Sequence, residues 1–317
     1  MKGACDRSDC SVKDDLPCEM GHDRSEDCPH FKAVTSAGVE GNESTVTDDT
    51  EGHRLPWTGR GLGLNDIGLA SARSPAQLVG LVGPYNAGKT AFLTAMFSHF
   101  SRTAVLDDHA FAGSFSLQAW SRLKKFTTWP AAQAPMFPPH TPDSSERAPG
   151  LLHLAFRRRQ ELIRDLLFTD APGEWFTRWM RNHAAEEAKG ARWIAEYASC
   201  FLLVVDREGL AGPDVGLVRQ NTLALARLIS EHRRGRPVAT VWTKSDGPCD
   251  EEIEAPVRAR LSEFFDDHPT FNVSVDDVGC LRVLAFLLAL QNPASQPFGR
   301  RLSGTTSAFL AYGAAAP

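Results

Sequence analysis

The octapeptide Gly83-Pro84-Tyr85-Asn86-Ala87-Gly88-Lys89-Thr90 fits the pattern glycine, four residues, glycine, lysine, threonine. That spacing suits a polyphosphate. Glycines let the backbone curl until successive N–H groups converge on phosphate oxygens, and a helix N-terminus behind them adds its positive end. Backbone from Tyr85 through Asn86, Ala87 and Gly88 to Ala91 would form the cradle. Lys89 would reach the terminal phosphates, and the Thr90 hydroxyl would ligate Mg2+. A second set, Asp170-Ala171-Pro172-Gly173, closes the apolar run Leu166–Thr169. Its acid could hold Mg2+ through water, and the Gly173 N–H could meet a γ-phosphate. Taken alone, an Asp before Pro-Gly is more often a turn residue. A third set, Thr243-Lys244-Ser245-Asp246, follows the apolar run Val238–Trp242. The Asp246 carboxylate could accept from the N1–H and the exocyclic amine of guanine, a donor pair that adenine lacks. That set alone also reads as a capped loop. All three occur in order at strand ends, where open α/β sheets bind ligands.

The elements that must hold these sets alternate between strand and helix, the pattern of an α/β fold. Strands are expected at 77–82, 200–205, 238–242 and 271–275, with an antiparallel hairpin of 151–157 and 162–169 around a charged turn. Helices are expected at 90–100, 175–198, 215–232, 253–265 and 278–290, and 116–125 can be helical. Most of 110–150 is irregular and rich in proline, and a segment that long inside a domain is usually functional or mobile. The implied fold is that of a P-loop NTPase, with a mostly parallel sheet and one antiparallel edge strand. It spans residues 56–292, after a Cys/His-rich module at 1–32 and a Gly/Ser/Thr/acid-rich linker at 33–55. Residues 293–317 form a tail.

Composition narrows the function classes. The 317 residues are 42% apolar with a net charge of −5, so a globally basic nucleic-acid binder is excluded. The longest apolar run, Val278 to Leu290, contains Arg282 and is too short to span a bilayer. Residues 1–30 are crowded with charge and lack a secretory apolar core, so the chain reads as cytoplasmic. Residues 1–54 hold six Lys/Arg against thirteen Asp/Glu, leaving the remainder nearly neutral.

Four of the seven cysteines, Cys5, Cys10, Cys18 and Cys28, fall in this acidic head beside His22 and His30. A reducing compartment gives no stable disulfides, and so small a module needs a staple. Zinc held by the four cysteines supplies one, with His22 or His30 able to replace Cys18 or Cys28. The alternative is an acidic tail with free thiols. Cys200, Cys249 and Cys280 flank apolar segments and read as buried small hydrophobes. Arg157-Arg158-Arg159 sits at the hairpin turn and reads as a solvated turn rather than an RNA patch. Trp175 and Trp179 are four apart and share a helix face, more often core than partner groove.

Taken together, the three sets and the hairpin resemble the translation-factor-related (TRAFAC) P-loop GTPases over about two-thirds of the chain, residues 77–290. A narrower resemblance is to the double-GTPase-like proteins of bacterial conflict and defence systems. It is carried by the Cys/His-rich head, Phe137-Pro138-Pro139-His140-Thr141-Pro142 and Asp170-Ala171-Pro172-Gly173-Glu174-Trp175. The resemblance implies GTP and GDP as ligands with Mg2+, and a switch read by co-encoded protein partners. It implies that Thr141 is the switch threonine closing on Mg2+ and γ-phosphate, with Thr127 and Thr128 as rivals. It also implies that Ser274 and Val275 contact guanine through their backbone. Thr243 stands where Asn is more common and loses an amide that braces the phosphate loop. Glu174 stands where many members carry a water-orienting Gln, and its charge beside a triphosphate implies slow intrinsic hydrolysis. Asn86 matches a subset in which that residue ligates K+; the alternative is that it caps the loop. Two other readings remain open: a nucleotide-binding scaffold that hydrolyses almost nothing, and an ATPase of the same fold, which hangs on Asp246.

Overall fold

A strand buried on both faces has to be apolar throughout, and the runs at 77–82, 200–205 and 238–242 are neighbours in one sheet. The computed structural model describes residues 3–5, 31–33, 61–71, 76–127, 150–158, 163–248, 250–266 and 268–290. The chain divides into two compact units, residues 1–54 and 55–317. In the first, β1 (Gly3–Cys5) pairs antiparallel with β2 (Phe31–Ala33), Cys5 opposite Phe31. Cys10, Cys18, Cys28, His22 and His30 lie outside the described residues, as do Thr128 and Thr141.

Among the described residues of the second unit, a 3-10 turn, Leu64–Asp66, leads into the short helix α1 (Ile67–Ser71), followed by β3 (Gln77–Val82) and α2 (Lys89–Thr103). Next come the hairpin β4 (Val105–Leu106) and β5 (His109–Gly113), α3 (Leu117–Thr127), and the strands β6 (Gly150–Arg158) and β7 (Arg164–Asp170). Then follow α4 (Gly173–Arg181), α5 (Lys189–Tyr197), β8 (Cys200–Asp206), α6 (Arg207–Leu210) and α7 (Val215–His232). The series closes with β9 (Val238–Thr243), α8 (Glu251–Phe265), β10 (Thr270–Asn272) and α9 (Gly279–Ala289).

Eight strands form the sheet in the order β10-β9-β8-β3-β7-β6-β5-β4, parallel from β10 to β7 and antiparallel from there to β4. It is the mostly parallel sheet expected, but the antiparallel part runs to three strands where one edge strand was anticipated. The extra hairpin carries little local signal. His109-Ala110-Phe111-Ala112-Gly113 has no β-branched residue, and its turn places Asp107 at φ +53° without a glycine.

Alternation along each central strand assigns its side chains to two cores. Val79, Leu81, Cys200, Leu202, Ala239 and Val241 pack beneath α2, α3 and α9. On the other face, Phe201, Leu203, Val205 and Trp242 pack beneath α4, α5, α7 and α8. Trp175, Phe176 and Trp179 are buried in that second core, so the paired tryptophans are core.

The single helix expected at 175–198 is two helices with a 3-10 turn, Glu186–Ala188, between them. Asn182 causes the break. Its backbone is extended (φ −147°, ψ 105°) and its Oδ1 accepts from the Ala184 N–H at 3.0 Å. Such local side-chain bonds compete with helix continuation. Trp193 therefore belongs to α5 and not to the helix of Trp175 and Trp179. The strand expected at 271–275 stops at Asn272, which leaves Val273–Val275 as loop.

Arg158, at the end of β6, pairs with Asp108 of the β4–β5 turn. Deeper in the same strand, His153 Nδ1 accepts from the Phe115 N–H at 2.9 Å, so Nε2 carries the hydrogen and donates to Asp165 Oδ1 at 2.8 Å. The Trp120 indole donates to the His153 carbonyl at 2.9 Å. These bonds fix the start of α3 over the antiparallel strands.

Candidate functional site

β3 ends at Val82 and α2 begins at Lys89, so residues 83–88 are the strand-to-helix turn that the phosphate pattern requires. Gly88 is left-handed at φ +82°, and a Cβ there would come within 3.3 Å of the Thr243 side chain. Asn86 is left-handed too, at φ +60°, a conformation Asn tolerates better than most residues. Lys89 is only 6% exposed. Its Nζ donates to the carbonyls of Gly83 at 2.9 Å and Pro84 at 3.0 Å, and lies 5.8 Å from the centre of the Phe176 ring. Burial lowers its pKa to about 8, against the opposing pull of Asp170 and Glu174.

The acidic loop meets the phosphate loop from the neighbouring strand. Asp170 ends β7, and its Oδ1 accepts from the Thr90 hydroxyl at 3.1 Å. These two oxygens, at the foot of α2, are hard donors of the kind Mg2+ takes. Gly173 allows the closest approach. A Cβ on it would fall 2.3 Å from the Tyr85 backbone nitrogen, so no other residue fits without moving one of the loops. Glu174, in the first turn of α4, lines the same cavity and acts on Lys89 electrostatically.

The other side of the cavity is assembled from β8, β9 and the loop after β10. The Thr243 hydroxyl donates between the carbonyls of Ala87 at 2.7 Å and Val205 at 3.0 Å. Where an Asn would brace the phosphate loop through its amide, the Thr243 hydroxyl braces it through the Ala87 carbonyl. Lys244, left-handed at φ +55°, donates to Asp206 Oδ2 at 2.8 Å and lies 3.5 Å from Glu208 Oε2. Asp246 is exposed to the cavity. The Ser245 N–H donates to the Val273 carbonyl at 3.1 Å, and His99 Nε2 donates to the Val275 carbonyl at 3.0 Å.

One cavity of about 590 Å³ brings these pieces together. Tyr85 to Ala91, Gly173, Glu174, Thr243, Lys244, Asp246, Ser274 and Val275 all line it. Asp170 stands behind Thr90. Thr141 lies outside the described residues. With the strand-to-helix turn at 83–88, Thr90 and the loop at 243–246 facing one space, the geometry fits a nucleotide. The family model for Double-GTPase 2 matches residues 77–281. The chain belongs to this family. No curated protein matches the chain.

Membership in the Double-GTPase 2 family makes this a P-loop GTPase domain, and GTPase domains bind GTP and GDP with Mg2+. No helix among the described residues is long and apolar enough to cross a membrane. Among the described residues there is no group of three or more His, Cys, Asp or Glu placed to hold a metal. Cys200 and Cys280 are buried free thiols whose pKa values burial pushes up to about 12 and about 11, so both are packing residues as expected. Cys249 lies outside the described residues.

Three contributors escaped the motif reading. Asp206 ends β8 as Asp170 ends β7, so the same strand-end rule would have found it. Glu208 lines the cavity, and His99 holds the loop at 275, yet neither belongs to a local pattern.

Lys89 yields a prediction. With its pKa lowered to about 8, about half the free sites lack the ammonium proton at pH 8. A bound phosphate favours the charged form and raises that pKa. Nucleotide binding should therefore take up about half a proton at pH 8, and affinity should fall as pH rises from 7 to 8.5. Calorimetry in buffers of different ionisation enthalpy measures this, and Lys89→Arg should abolish the uptake.

Proposed function

We propose that this chain is a regulatory GTPase, a molecular switch that binds GTP, hydrolyses it slowly and presents its two nucleotide states to a co-encoded protein partner. The observation that carries the reading is the sharing of one cavity by the phosphate turn and the Thr243-Lys244-Ser245-Asp246 loop. The setting we favour is a bacterial conflict or defence system, in the cytoplasm. The support for that setting is the family together with the Cys-rich head.

In this reading Lys89 leaves its two carbonyl partners partly for the β- and γ-phosphates, and the N–H groups from Tyr85 to Ala91 hold the remaining oxygens. Thr90 and Asp170 fit Mg2+ by donor chemistry and by their convergence at 3.1 Å. When bound, the ion would neutralise charge on the polyphosphate. Gly173 offers its N–H to the γ-phosphate, and Glu174 orients the attacking water. The carboxylate of Glu174 near a triphosphate is unfavourable and keeps unassisted turnover slow. Thr141 is the residue proposed to close over the γ-phosphate. Asp246 reads guanine, with Ser274 and Val275 adding backbone contacts.

Two further ions belong to the proposal. Asn86 lines the cavity in a left-handed turn, and its side chain carries an amide oxygen of the kind K+ takes. Cys5, Cys10, Cys18 and Cys28 are proposed to hold zinc in a module at 1–32, joined by a linker at 33–55 to the GTPase domain at 56–292, with a tail at 293–317. One zinc per chain in the purified protein, lost on removing residues 1–52, is the expected metal content. A second reading, a scaffold with negligible hydrolysis, draws support from the burial of Trp175 and Phe176, two and three residues after Gly173, which opposes movement of the start of α4. Single-turnover hydrolysis with and without the co-encoded proteins separates the two, since only a switch is accelerated.

Asp246→Asn tests the base assignment. The amide loses one acceptor and gains a donor, so affinity should move from guanine to xanthine nucleotides by at least about tenfold. Binding that stays guanine-selective in the variant contradicts the assignment. Turnover should also be faster in K+ than in Na+ at equal ionic strength, and Asn86→Ala should remove the difference while nucleotide still binds. Equal rates in the two salts would leave a partner to supply the cation.

A further inference from the structure

Glu254 on α8 is 4% exposed, and a carboxylate buried that deeply must be paired. It is paired twice. Arg207 Nε donates to its Oε2 and Arg258 Nε to its Oε1, each at 2.7 Å. Each arginine has a second partner next to the nucleotide cavity. Arg207 donates through NH1 to the carbonyl of Ser245 at 3.0 Å, and Ser245 separates Lys244 from Asp246. Arg258 lies 3.9 Å over the Trp242 ring and donates to Asn272 Oδ1 at 2.9 Å, immediately before Val273-Ser274-Val275. One buried carboxylate thus ties both loops, at 245 and at 272–275, to α8.

Two half-buried arginines on one buried carboxylate are weak evidence for stability, because desolvation offsets most of the attraction. Its value here is directional. Ser245 is held on both sides, its N–H by the Val273 carbonyl and its carbonyl by Arg207, so the residue after it can leave in only a narrow range of directions. A carboxylate that must accept from two base donors at once needs that restriction, since hydrogen bonds weaken steeply with misalignment. We infer that Arg207, oriented by Glu254, is a positioning residue that aims the Asp246 carboxylate at the base and so sets nucleotide specificity. The inference rests on the guanine reading of Asp246.

The test compares GDP and ADP affinity, with Mg2+, for the full chain and for Arg207→Gln, Arg207→Lys and Glu254→Gln. Arg207→Gln should weaken GDP by about tenfold or more and ADP by less than about threefold, so the guanine-to-adenine ratio collapses. Arg207→Lys keeps a donor for Ser245 and should recover part of the ratio. Glu254→Gln leaves Arg207 in place without its carboxylate, and should lower the ratio in the same direction if Arg207→Gln does not fold. A variant that loses GDP and ADP affinity equally, or keeps the wild-type ratio, overturns the inference. A wild-type chain that does not discriminate overturns the guanine reading itself. Discrimination in the wild type with unchanged ratios in the variants overturns only the role of Arg207.

Discussion

A lysine ammonium enclosed to 6% exposure, with two backbone carbonyls as its neutral partners, is the constraint on which the nucleotide side of this sheet depends. Burial disfavours its charge enough to bring the pKa to about 8. Two carbonyl dipoles cannot offset a buried cation as an anion can. Asp170 and Glu174 stand near enough to counter part of the cost, and a polyphosphate would counter the rest. The neighbouring features follow from keeping Lys89 there. Gly83 and Pro84 must turn their carbonyls inward, Gly88 must be left-handed, and Gly173 must be bare so that the acidic loop can approach.

The same constraint is supported from outside the phosphate loop. The Thr243 hydroxyl joins Ala87 to Val205, which makes β8, β9 and the phosphate turn one unit. On the acidic side, α4 starts at Gly173 and places Trp175, Phe176 and Trp179 in the core. Melting that helix would expose three aromatic side chains, at about 1.5–3 kcal/mol each. Coupling free energies between sites are typically about 1–3 kcal/mol. A nucleotide-driven change at Gly173 must therefore keep α4 packed, and rigid displacement of the helix or movement confined to Asp170–Pro172 satisfies that limit.

How much of this was legible in the residues depended on how local the signal was. The phosphate turn needs a strand, glycines and a helix start within a dozen residues, and its strand at Gln77–Val82 has the bounds the apolar run implied. The helix at Val215–His232 was equally plain from its period. The β4–β5 hairpin was not, because its short alanine-containing strand looks like loop. The break at Asn182 was missed because apolar spacing continues across it on both sides. In the site, Tyr85 to Ala91, Gly173, Thr243, Lys244 and Asp246 line one cavity, while the braces between motifs were invisible. Arg207 and Glu254 are 47 positions apart, and Thr243 and Ala87 are 156 apart. No spacing rule links such pairs, since only the strand order makes them neighbours.

Amide hydrogen exchange of the full chain, with and without GDP and Mg2+, tests the central claim most directly. If the buried lysine organises a nucleotide site at the strand ends, GDP should slow exchange at residues 83–91, at 170–174 and at 243–246 with 273–275, and Lys89→Met should abolish the slowing at all three. Protection that falls elsewhere in the chain, or that survives intact in Lys89→Met, would contradict the account.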